Sequence, residues 1–119
     1  NIKFIQMSSL ELENNFKNES FDLIWIDGDH LNPQVTIDIF QCLKLIKKNG
    51  MICVDDVIKD DEILKENVNK EYLSSESFKT LEYFNNLEYL KTSYFLKRVT
   101  RRNIDGKKFI SVSSLKDFI

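Results

Sequence analysis

Phe21-Asp22-Leu23-Ile24-Trp25-Ile26-Asp27-Gly28-Asp29-His30 and, one helix later, Met51-Ile52-Cys53-Val54-Asp55-Asp56 decide how this chain folds. Each is a near-continuous apolar run, closed by carboxylates. A strand that is apolar at successive positions has side chains to bury on both faces, as in a covered parallel sheet. Between the two runs, Asn32 is placed to cap a helix and Pro33 to open it. Val35, Ile39, Leu43 and Ile46 recur at spacings of four, four and three, which is one helical face. Lys44, Lys47 and Lys48 complement the C-terminal dipole of that helix, and Asn49-Gly50 stops it. Strand, helix and strand with short connections form a βαβ unit, with parallel strands and a right-handed crossover.

Outward from this unit, residues 2–6 read as a short strand. Ser8-Ser9 follows as the cap of a short helix carrying Leu10, Leu12 and Phe16. Residues 59–72 read as a charged helix with Ile63, Leu64 and Val68 inward, and residues 74–86 as a further helix. Residues 94–101 and 108–113 are strand-like and flank Asp105-Gly106, a hairpin signal. The expectation is a single α/β domain with a mainly parallel sheet and a C-terminal antiparallel hairpin. The abrupt strand-like opening after Asn1 suggests an excerpt of a longer domain.

The chain has 119 residues, of which 42% are hydrophobic and 30% charged, a balance suited to one soluble globular core. Net charge is −2, and the 17 basic residues are scattered apart from a short run at 97–102, so neither a nucleic-acid face nor a membrane-surface helix is expected. No apolar stretch approaches the ~20 residues of a membrane span, and no secretory signal opens the chain. Cys42 and Cys53 sit among apolar neighbours and read as buried, reduced thiols, which points to a cytoplasmic protein.

Two parallel strands that each end in carboxylates place Asp27, Asp55 and Asp56 at the carboxyl edge, where open α/β sheets bind ligands. Carboxylates gathered at one point repel one another, and a hard divalent cation such as Mg²⁺ relieves this. His30, the only histidine, follows Asp27 closely and suits proton abstraction near neutrality. Asp29 has the simpler reading of complementing the next helix start, and Asp56 is as well suited to capping the following helix as to holding metal.

Residues 21–30 followed by Asp38, and then residues 45–57, resemble the fourth and fifth strands of class I S-adenosylmethionine-dependent methyltransferases. The closest flavour is the metal-dependent O-methyltransferases acting on macrolide sugars and catechols. The resemblance covers nearly the whole chain but only the second half of a truncated Rossmann-like methyltransferase fold, with residues 1–119 as its C-terminal part. It implies Asp27, Asp55 and Asp56 as metal ligands, His30 as the base acting with Asp27, and S-adenosylmethionine and Mg²⁺ as cofactors. A small-molecule or sugar hydroxyl is the implied acceptor, in a protein free to form a homo-oligomer. Ser8 stands where the family often places an acidic residue near the adenine. The family's glycine-rich cofactor loop and ribose-binding acid have no counterpart here. Only Gly28, Gly50 and Gly106 occur, and the isolated chain is expected to bind the cofactor weakly or not at all and to be inactive.

Two rival readings stand beside this one. Asp27-Gly28-Asp29 after an apolar strand also fits the metal motif of a nucleotide-sugar glycosyltransferase, in which Asp29 would share the ion. A non-catalytic Rossmann-like remnant is the other.

Overall fold

The computed structural model describes residues 1–59, 75–99 and 107–116. In chain order the helices are α1 (Leu12–Asn15), α2 (Gln34–Leu45) and α3 (Glu76–Asn86). The strands are β1 (Phe21–Ile26), β2 (Ile46–Val57), β3 (Leu90–Val99) and β4 (Lys107–Leu115), in the spatial order β1-β2-β4-β3. β1 and β2 are parallel, with Ile24 opposite Ile52 and Ile26 opposite Val54, and α2 is their crossover. β4 is antiparallel to both β2 and β3. The α/β class, the βαβ unit and the antiparallel pair of C-terminal strands are therefore as expected. The parallel share is one pairing of three among the described strands, because β4 lies against β2 and no further parallel strand adjoins β1. The Asp105-Gly106 turn and most of the helix expected at 59–72 lie outside the described residues.

The core forms where the apolar face of α2 meets one face of the sheet. Val35, Ile39 and Cys42 pack with Ile26, Ile52, Val54 and Val57, and Leu81 and Phe84 of α3 close the layer. Alternation along β1 sends Ile24 and Ile26 to this core and leaves Leu23 and Trp25 half-exposed on the other face. No described helix is long and apolar enough to cross a membrane. Cys42 and Cys53 are both free and buried, as read from their apolar settings.

Four local expectations need correction. Residues 2–6 form no strand, and Ile2 and Phe4 are 99% and 87% exposed, since no described strand offers them a ladder. α2 opens with Pro33 at the N-cap position and no side-chain cap; the Asn32 side chain instead accepts from the Thr36 hydroxyl. Helix α2 ends at Leu45, so Ile46 is extended and pairs with Phe21 although its side chain stays buried. Lys47, Lys48 and Asn49-Gly50 thus belong to β2, in an irregular stretch where register jumps from Phe21–Ile46 to Leu23–Met51. Gly50 is there for space: a Cβ would lie 2.7 Å from the Ile46 side chain and 2.9 Å from the Asp22 carbonyl oxygen.

Gly50→Ala is expected to destabilise the fold by about 1–3 kcal/mol, the range for forcing extra volume into a packed site, read as a lower urea midpoint with unchanged slope. The thiols give a second check. Burial and the neighbouring Asp38 push the Cys42 thiol up to about 12, and burial raises that of Cys53. Both should resist iodoacetamide at pH 8 in the folded chain and react once it is unfolded. Rapid labelling of Cys42 in the native state would contradict this packing.

Candidate metal centre

The last rung of the parallel ladder, Ile26 opposite Val54, sets Asp27 and Asp55 at the same level beyond it. Past that rung the two strands diverge in character. On the β1 side the chain turns at once, because the Asp29 carboxylate accepts the Leu31 backbone N–H at 2.9 Å. This bond closes a local turn ahead of α2 and does not cap or charge-complement the helix, which starts at Gln34 with no acidic residue in its first turn, and it keeps His30 close to the strand tip. On the β2 side the chain continues in the sheet, but Asp56 takes the left-handed conformation, φ 51°. Aspartate tolerates this region better than most residues. The Asp56 N–H donates to the Asp55 carboxylate at 2.8 Å, which fixes the kink.

The consequence is that Asp27, His30 and Asp56 converge. Each offers a potential ligand atom, and those atoms lie within 4.8 Å of one another. Metal–oxygen bonds are about 2.0–2.6 Å long, so two donors on one ion stand at most about 4–5 Å apart. The three groups therefore fit a single divalent ion. Asp55 is not one of the three, and neither is Asp29, whose carboxylate is engaged by its own turn. Ser8 stays exposed and caps the 3-10 turn Ser9–Glu11, accepting from the Leu10 N–H at 3.3 Å.

Two lysines complete the electrostatics. Lys97 of β3 donates to Asp55 at 2.8 Å and to Asp56 at 3.2 Å. Lys108 of β4, only 7% exposed, has its ammonium 3.6 Å from Asp56. The hydrogen bond to Asp55 raises the pKa of Lys97; burial opposes it and Asp56 reinforces it. Asp55 is nearly buried, so a cation at its side offsets the desolvation of its charge. Both lysines escaped sequence reasoning. They lie far along the chain from the aspartates, and only the antiparallel placement of β4 against β2 brings them near.

Residues 1–57 match the family model described as a methyltransferase domain, a span that includes β1, the His30 turn, α2 and β2. No curated protein matches the sequence. Among solved structures, the chain is similar to cofactor-bound Rv0187 from MTB, at a TM-score of 0.64 and 21% identity over 93% of this chain and 47% of that one. It is similar to the O-methyltransferase from Bacillus cereus in complex with SAH, at a TM-score of 0.56 and 21% identity over 91% and 46%. It also resembles the O-methyltransferase TomG from Streptomyces achromogenes in complex with SAM, at a TM-score of 0.51 and 13% identity over 82% and 41%. The chain thus spans about half the length of the structures it matches. It has the fold of part of these structures, and the methyltransferase-domain match covers residues 1–57, just under half of the chain.

Proposed function

We propose that this chain is the acceptor-side, C-terminal half of an S-adenosylmethionine-dependent O-methyltransferase, acting on a hydroxyl of a small molecule or sugar with a divalent cation. The observation that carries the reading is the convergence of Asp27, His30 and Asp56 at the carboxyl ends of β1 and β2. Asp27 and Asp56 supply the anionic oxygens that hold the cation. A bound divalent cation lowers the pKa of the acceptor hydroxyl and fixes its orientation. His30 takes the hydroxyl proton as the acceptor oxygen bonds to the methyl carbon and the carbon–sulfur bond breaks. The products are the methyl ether, S-adenosylhomocysteine and a proton on the imidazole.

A second reading has an observation in its favour. His30 is within ligand reach of the same point as the two carboxylates, so the imidazole can serve as a third ligand. A nitrogen donor would favour Mn²⁺, Fe²⁺ or Zn²⁺ over Mg²⁺. One pair of variants separates the roles. Asp27→Asn should weaken cation binding, measured by titration calorimetry, because an amide brings no charge to a hard ion. His30→Ala should retain the cation and lower turnover of the complete enzyme by roughly 10²–10⁴-fold if it is the base. Loss of the cation from His30→Ala would move it to the ligand role, and tolerance of Asp27→Asn would remove the site.

Cofactor binding is assigned to parts of the domain outside this chain, because Gly28, Gly50 and Gly106 stand singly in the sequence and make no glycine-rich motif. The 119-residue chain should show no micromolar heat of binding with S-adenosylmethionine. Tight binding by the chain alone would overturn the division of labour proposed here.

A further inference from the structure

Two irregularities in the sheet oppose the same short stretch of β4. On β2 the ladder runs from Val54–Ser111 to Val57–Phe109, so β2 carries an extra residue where Asp55 and Asp56 stand. On β3 it runs from Leu96–Phe109 to Arg98–Lys108, so Lys97 is the extra residue. A bulge re-aims the side chain it carries. Here the two bulges turn Lys97 toward the aspartates across the intervening strand, and its ammonium bridges both.

We propose that Lys97 is a tethered counter-ion that occupies part of the cation site and yields to the incoming ion. This rests on the cation reading of Asp27, His30 and Asp56. The bridge is unequal, 2.8 Å to Asp55 and 3.2 Å to Asp56, and only Asp56 also belongs to the convergent trio. The aspartate pair therefore divides its work. Asp55 anchors the lysine, and Asp56 is shared between the lysine and the ion. An ammonium this close to Asp56 opposes a divalent ion by direct repulsion and by competing for the same oxygen.

Mn²⁺ binding to the 119-residue chain, followed by the paramagnetic resonance signal of the free ion, tests this. Lys97→Met and Lys97→Gln should each bind Mn²⁺ roughly ten-fold more tightly than wild type, the scale set by removing one nearby unit charge in a partly screened site. Lys97→Arg, which keeps the charge, should stay near the wild-type affinity. The Mn²⁺-induced rise in melting temperature should be larger in the neutral variants. Should a neutral variant fail to fold without metal, recovery of its circular-dichroism signal with Mn²⁺ would support the exchange of one cation for another. Failure to recover would overturn it. Equal or weaker Mn²⁺ binding by the neutral variants overturns the tethered counter-ion and leaves the cation site standing. Absence of Mn²⁺ binding in wild type and all variants removes the cation site itself and the proposal with it.

Discussion

β2 is paired on both edges, parallel to β1 and antiparallel to β4, and the other elements take their places from it. Its parallel partner requires a crossover, which is α2; its antiparallel partner admits the hairpin-like pair β3 and β4. Ile52, Val54 and Val57 give the helices a buried surface to lie on. Where this apolar strand runs out, Asp55 and Asp56 follow without a turn between, so two charges are carried to the edge of the core. A carboxylate in that position must find a partner, and the strand order supplies Lys97 and Lys108.

The sequence made β1, α2 and the end of β2 legible for a simple reason. Apolar runs closed by Asp27 and by Asp55-Asp56, with a periodic segment between them, admit few arrangements once chain connectivity is respected. Residues 2–6 carry the apolar signature of a strand, but that signature predicts burial only if a neighbouring strand is present. The end of α2 is hidden in the sequence because Ile46 keeps the helical spacing of buried residues while its backbone is extended. Periodicity reports which side chains are inside, and it is silent on the backbone that carries them there. Gly50 has the sequence setting of a helix stop, whereas close approach to Ile46 and the Asp22 carbonyl explains it.

The site shows the same division. That Asp27, His30 and Asp56 come close to one another is legible because Asp27 and His30 follow β1 and Asp56 stands near the end of β2, its neighbour in the sheet. Which of Asp55 and Asp56 comes closest to Asp27 and His30 is not readable in the sequence, because it depends on the left-handed backbone at Asp56. Alternation along a regular strand would send Asp55 and Asp56 to opposite faces, with no reason to prefer one. The bulge removes that symmetry, with Asp55 buried against Lys97 and Asp56 turned toward His30 and Asp27.

Charge balance explains why such a division is stable. Asp55 and Asp56 face two ammonium groups, Lys97 and Lys108, so the charges of this pair are balanced within the described residues. The two lysines differ in setting: Lys108 is buried and stands 3.6 Å from Asp56, while Lys97 is partly exposed and bonded more closely. Lys108 is buried beside Asp56 and has little solvent to turn into, so it is a fixed part of the site's charge. Lys97 has solvent on one side and a second carboxylate to retain it, so it is the cation with freedom to leave Asp56. Lysines placed this way hold Asp55 and Asp56 in position, and on the proposed cation reading they would make the affinity for a divalent ion a property of β3 as much as of the strands that bear the carboxylates.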